Sequence, residues 1–337
     1  MNIKIKVVSL LLAMVMVCGM LGGCSRLGGI KTDDYSKVAV ASYGDSKIYL
    51  DEVNFFARNS QYVYEMYYGT DIWSNESYAG IADYIKQNVV STLYQTEVLA
   101  DKAAELGITL SDEDKAKVDT AVSEFFEHSD EKLKKACNIT EERLKEIYTK
   151  NALANRVYES TYADKDISVT DEEAAQRTVE YILVPASESK EKAEEILKTV
   201  SEGADMKETS ETNNMSFSTI SFGKGDYENE IGTVSDTMKD GDYAIAEVEN
   251  DGWYVMHMVS AFDETATANK KTSMESSKKT EIFKEVYAKW LEGGKKFKVD
   301  EDILDVIKFT SPIYEAPVVQ STEAASEAVA ESSEAAE

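Results

Sequence analysis

The chain has 337 residues, 63 of them Asp or Glu against 36 Lys or Arg, for a formal net charge of −27. That balance argues against nucleic acid as a ligand, because phosphate binding rests on clustered Lys and Arg, and it disfavours anionic surfaces while promoting solubility. The length is enough for two modules, and with one His at 128, one at 257 and no Cys beside either, no metal site is expected.

In chain order, Lys4 and Lys6 precede an apolar run from Val7 to Met20 that is too short and one-sided for a membrane span, so residues 1–23 read as an export signal. The signal closes on Leu21-Gly22-Gly23-Cys24, which resembles the lipobox of bacterial lipoproteins. The resemblance implies that Cys24 is lipidated and heads a mature chain held on the extracytoplasmic face of the cell membrane, each buried acyl methylene contributing ~0.8 kcal/mol. On that reading Cys18 leaves with the signal and only Cys137 stays free, so no intramolecular disulfide is expected. Residues 24–36 are polar and Gly-containing and read as a tether.

KVAVASYGDSKIYLDEVNFF predicts a short strand, a turn at Gly44-Asp45, a second extended piece and a helix. The first helical turn carries Asp51 and Glu52, favourable at the positive end of the helix dipole. Gly44, Ile48 and this acidic helix start follow the order found at the head of the N-terminal domain of SurA-like and PrsA-like chaperones, which the stretch resembles. Further on, Ile81, Ile85, Val89 and Leu93 step by four along one helix face, with Gly107 placed as its C-cap. Ser111 and Thr140, each ahead of two acidic residues, open fresh helices. A helical domain over 37–169 follows. Within it Tyr62, Tyr64, Met66, Tyr67, Tyr68 and Trp73 are suited either to packing between helices or to holding unfolded segments of varied sequence. Thr170 with Glu173 is a capping box, predicting a short helix before the next strand.

Thr178–Val184 is β-branched and aromatic, and Pro185 ends it as a strand. Ala193, Ile196, Leu197 and Val200 then mark one apolar helix face. After Gly203 comes MSFSTISFGKGDY, an alternating strand that ends in a Gly-Lys-Gly turn; a short polar helix runs to about Lys239, and a hairpin turns at Asp251-Gly252. This order, with VEYILV at 179–184, SFGKGDY at 221–227 and MKDGDYAIAEVENDGWYVMHM at 238–258, resembles the parvulin family of peptidyl-prolyl isomerases over residues 170–263. The resemblance implies a small antiparallel sheet with flanking helices, and catalysis of Xaa-Pro rotation without cofactor or covalent intermediate. It also implies a site of paired ring residues on the first and last strands beside an apolar proline pocket. Tyr181 and Tyr254 stand at the family's His positions, and Phe222, Tyr227 and Ile231 at the pocket walls. Two tyrosines preserve a polar contact but not an imidazole network. His257 lies three residues from Tyr254, an odd offset that points it to the opposite face.

Ile282, Val286 and Trp290 predict a last helix over 270–290, closed by Gly293-Gly294. By analogy with SurA-like and PrsA-like proteins the segment 264–315 is expected to pack on the N-terminal domain, and the Ala/Ser/Glu-rich tail 316–337 to be disordered. The expected fold class is α+β, a helical chaperone domain completed by a C-terminal helix plus a parvulin-like domain. The expected activity is that of a membrane-anchored extracytoplasmic foldase whose partners are unfolded or newly exported proteins and their proline-containing segments. The alternative is a non-catalytic chaperone or assembly factor that only binds peptide. A solute-binding lipoprotein has the right anchor but lacks the repeated α/β pattern of two-lobed binders.

Overall fold

The computed structural model describes residues 34–315, so the export signal, Cys24, the tether as far as residue 33 and the tail 316–337 lie outside the described residues. The chain is α+β and divides into two units, 162–286 forming one and the remaining described residues the other. Among the described residues no helix is long and apolar enough to cross a membrane.

Strand β1 (Ala39–Tyr43) pairs antiparallel with β2 (Ser46–Tyr49) across Gly44, whose φ of +58° suits glycine in a tight turn. Helix α1 (Leu50–Tyr68) follows directly. Its Val53 and Ala57 join Val40, Ile48 and Leu93 in one core, while Phe55 enters a second with Phe125, Leu144 and Ile147. Asp51 and Glu52 do stand in the first helical turn, yet both are buried, because Arg143 Nε reaches Asp51 Oδ2 at 2.8 Å and Lys150 Nζ reaches Glu52 Oε1 at 3.0 Å. Helix α2 (Ile81–Leu106) ends where Gly107 turns left-handed at φ +68°. Helix α3 (Asp112–His128) starts on a Ser111–Asp114 capping box, α4 (Glu131–Cys137) follows, and α5 (Glu141–Ser160) starts on the Thr140 hydroxyl. Cys137 is fully buried in the second core, and burial pushes its thiol pKa far up, which suits a packing role rather than a reactive one.

In the second unit Thr170 and Glu173 do exchange capping bonds, but they close a turn, not a helix. Strand β3 (Gln176–Pro185), helices α6 (Lys190–Ser201) and α7 (Met206–Thr212), strand β4 (Ser216–Gly223), helix α8 (Glu230–Ser235) and strands β5 (Tyr243–Val248) and β6 (Gly252–Ser260) follow in order. The four strands form one antiparallel sheet in the order β4-β3-β6-β5. One face, with Ile182, Val184 and Val255, packs on Ala193, Ile196 and Val200 of α6. The other meets Ile231 of α8, Val234 and Met238.

Helix α9 (Glu264–Leu291) contains the unit boundary at 286/287. Its buried residues are Thr267 near the start and Phe283 and Tyr287 in the later half, with Ile282, Val286 and Trp290 half-buried, so the inward line there sits one residue along from the predicted stripe. Beyond it the first unit gains a third strand, β7 (Phe297–Val299), antiparallel to β1 with Tyr43 opposite Phe297. Helix α10 (Glu301–Leu304) then sends Ile303 and Leu304 into the first core.

The last described residues are held by one carboxylate. Glu65 is 1% exposed; its Oε1 accepts from Gln61 Nε2 at 2.6 Å and Trp73 Nε1 at 2.7 Å, and its Oε2 from the backbone N–H groups of Ile313 and Tyr314 at 2.8 Å each. Glu65→Leu removes the acceptor and strands three or four buried donors, each costing ~1–3 kcal/mol. The expected result is a loss of at least ~3 kcal/mol in urea unfolding, with new protease cleavage after Lys308. Unchanged cleavage in the variant would count against this clasp.

Candidate functional site

Antiparallel register decides which side chains share a face. On β3 and β6, Leu183 stands opposite Tyr254, Tyr181 opposite Met256 and Val179 opposite Met258. Strand β5 sets Ala246 against Tyr254 and Ala244 against Met256, and β4 sets Ser218 against Tyr181 and Phe222 against Arg177. Tyr181, Phe222 and Tyr254 therefore point to the face that carries α8.

Their rings meet there. The centroids of Tyr181 and Tyr254 are 5.0 Å apart with planes tilted by 55°, and Phe222 and Tyr227 are edge-to-face at 4.9 Å. Ile231 packs with Val179, Phe222, Met238, Met256 and Met258, and Tyr181 and Tyr254 border this cluster half-buried. Phe222 is steadied from behind: the Arg177 guanidinium lies 5.8 Å from its ring centroid and is ion-paired to Asp236 at 2.5 Å. Tyr227, at the edge of the cluster, is 36% exposed. Met256 and Met258 are fully buried beneath and Phe222 and Ile231 nearly so, so the apolar surface open to a ligand is the aromatic rim of Tyr181, Tyr254 and Tyr227.

Beside the tyrosine pair the polar groups are their own hydroxyls and the Asp251 carboxylate. Tyr254 donates to Asp251 Oδ2 at 2.5 Å. Partial burial first, and then that hydrogen bond and the Asp251 charge, push the Tyr254 pKa well above the usual phenol value, so it stays neutral and its proton is committed to Asp251. Its oxygen can still accept. His257 lies on the other face, stacked on Tyr243 at 4.5 Å with Nδ1 3.4 Å from Glu180 Oε2, and does not reach the tyrosine pair.

Sequence reasoning missed Met256, Met258 and Asp251. The two methionines were readable, since 254, 256 and 258 share one face of a period-two strand. Asp251 reads only as a turn residue, and its bond to Tyr254 depends on how the hairpin closes.

No family model matches the chain, and no curated protein does. Among solved structures it is similar to PrsA of Bacillus anthracis at 17% identity, covering 60% of this chain and 96% of that one, with a TM-score of 0.28. It is similar to PrsA of Bacillus cereus at 15% identity, covering 81% and 97%, TM-score 0.31. A third is one of the SurA-like chaperones of Campylobacter jejuni, at 9% identity, covering 78% and 99%, TM-score 0.28. These three solved structures are PrsA and SurA-like proteins.

Proposed function

We propose that the protein is a foldase anchored through lipidated Cys24 on the extracytoplasmic face of the cell membrane, where it receives unfolded or newly exported proteins. Its 162–286 unit binds their proline-containing segments on the face bordered by Tyr181 and Tyr254 and walled by Phe222, Tyr227 and Ile231. The observation that carries this reading is the meeting of those five residues around a methionine floor in a sheet of parvulin-like element order.

The chemistry needs little more than shape. Rotation about a peptide bond faces a barrier of roughly 18–20 kcal/mol, and Xaa-Pro exchange takes tens to hundreds of seconds unaided. A face that holds the proline ring on the rims of Tyr181, Tyr254 and Tyr227, above Phe222 and Ile231, while the flanking carbonyl turns lowers that barrier if it binds the twisted amide more tightly than either planar form. No cofactor or nucleophile takes part. The Tyr254 hydroxyl supplies an acceptor and Tyr181 a second polar edge.

The non-catalytic alternative draws on one observation, that the Tyr254 proton is already bonded to Asp251 and is not free for a rotating carbonyl. Exchange NMR on Xaa-Pro test peptides separates the two readings. Acceleration well above the uncatalysed rate is expected, and Tyr181→His/Tyr254→His is expected to raise it about tenfold or more. Peptide-induced shifts at Phe222 and Ile231 without acceleration would leave the binding-only reading. Neither shifts nor acceleration in a folded sample would remove both.

A further inference from the structure

The run at 61–74 divides in the structure. Tyr62 turns inward, its ring 5.4 Å from that of Tyr314, whereas Tyr67 and Tyr68 are 68% and 59% exposed at the end of α1. The connection to α2 curls back so that Tyr78, 39% exposed, brings its ring to 6.1 Å from that of Tyr68, and Tyr84, in the first turn of α2, is 55% exposed. Tyr64 lies beneath them, 5.8 Å from Tyr68 and 6.3 Å from Trp73, with Tyr67 three residues along the same helix. Partial burial and then the neighbouring Tyr84 and Tyr68 raise the Tyr64 pKa, which sets Tyr84 in the same group. Half of the large apolar side chains exposed among the described residues belong to this one platform. It is also anchored: Ile72 is buried, and Trp73 is tied to Glu65 and edges Phe309 at 4.8 Å.

Its charge selects among occupants. Between Arg58 and Lys86 the sequence has no Lys or Arg, but has Glu65, Asp71, Glu76 and Asp83; Glu65 is buried and Asp83 is ion-paired to Lys86 at 2.7 Å, which leaves the exposed Asp71 and Glu76 to set the charge of the platform. Anionic lipid is repelled by such a surface, and so is a second copy of a chain with a net charge of −27. Tyrosine faces free of a resident cation attract guanidinium and ammonium groups, and their rings take aliphatic side chains equally well.

We propose that this platform is a capture site for unfolded polypeptide segments carrying Arg or Lys among apolar residues. It goes beyond the reading of the 162–286 unit and does not depend on it. Arg stacks on the exposed rings, neighbouring apolar side chains cover the remaining ring area, and Asp71 and Glu76 set a negative surround that raises the local concentration of basic segments.

The test uses the protein with a fluorescent, unstructured Gly/Ser/Leu/Arg peptide, a matched peptide with Glu for each Arg, and phosphatidylcholine vesicles. Anisotropy is expected to show the Arg peptide binding at least about tenfold more tightly than the Glu peptide, with salt weakening it. Tyr67→Ser/Tyr68→Ser/Tyr84→Ser removes only exposed rings, and is expected to weaken Arg-peptide binding about tenfold with an unchanged circular dichroism spectrum. Equal binding of the two peptides, or an Arg peptide indifferent to the triple change, overturns the proposal. So does triple-sensitive binding to the vesicles without peptide binding, or a triple-sensitive change in oligomeric state. Tyr67→Phe/Tyr68→Phe/Tyr84→Phe retains the faces and is expected to keep most of the affinity, which separates ring capture from hydroxyl hydrogen bonding.

Discussion

Gly252→Ala is expected to destabilise the 162–286 unit by about 2–6 kcal/mol, the combined cost of a forced backbone and an overpacked contact. Gly252 starts β6 at φ +140°, where L residues are strained, and a Cβ placed there would lie 2.1 Å from the carbonyl oxygen of Val184 and 2.9 Å from the backbone nitrogen of Ala186. Both neighbours are backbone and cannot swing aside. They belong to the end of β3 and the residue after it, and Ala186 N–H also donates to the Asp251 carbonyl at 3.0 Å, so any relief must part the central strand pair. The hairpin that would shift carries Asp251 and Tyr254, so the aromatic face is lost with it. Gly225→Ala is the control: its φ of +89° is strained, but nothing lies within 4 Å of the added carbon. That variant should lose about 1 kcal/mol. NMR-monitored urea unfolding that reads amides of 176–260 separately from those of 34–161 checks the comparison. Equal losses for the two variants would refute the close-approach argument.

Lys150→Met is expected to cost about 3–5 kcal/mol at neutral pH, because it leaves buried carboxylates without their cation. Lys150 binds Glu52 and Glu97 together, and among the described residues it is the only cation within ion-pair reach of Glu97. Glu52 keeps only Arg143, whose Nη2 is 3.5 Å away and which is shared with Asp51. The deficit should depend on pH with a definite sign. Burial, outweighing the opposing Lys150 charge, already holds the Glu52 carboxyl above the usual range, and removing Lys150 lifts it further. A carboxyl raised in the folded state binds its proton more tightly there than in the unfolded chain. Its contribution is therefore most favourable below the unfolded value of about 4.3 and declines as pH rises through the folded value. The variant should thus lie closer to the parent near pH 5 than near pH 7.5, and Glu52→Gln added to Lys150→Met should recover much of the loss. Urea midpoints at the two pH values measure this. A deficit that is the same at both, with no recovery in the double variant, would mean that Lys150 acts only through packing.

Much of the site and its surroundings was legible because the signals are short-range. Ser111 and Thr140 cap helices with their own side chains, Gly107 stops one by going left-handed, and Asp251-Gly252 turns a hairpin. A period of two along 252–259 separates Tyr254 from His257 without any knowledge of the neighbouring strands. That Tyr181 and Tyr254 lie in ring contact is a different matter. They are two residues out of direct opposition, with Leu183 facing Tyr254, so their 5.0 Å approach exists only in this register.

What the sequence by itself determined is the α+β class, the identity and ends of most elements and the face on which each strand residue lies, since all of these follow from neighbours within a turn or two of chain. Tertiary structure alone decided the rest. Three residues, Phe297–Val299, are too few for a pattern and become a strand only because β1 offers a free edge far back in the chain. Asp51 and Glu52 look like solvated first-turn acids until Arg143 and Lys150 arrive from α5 to make burial tolerable. Glu65 reads as one more surface acid on an amphipathic helix, and the amides of Ile313 and Tyr314, nearly the whole chain away, turn it into the clasp of the first unit. In each case the deciding partner is remote in sequence, and a side chain's desolvation and hydrogen bonding are set by what surrounds it in space.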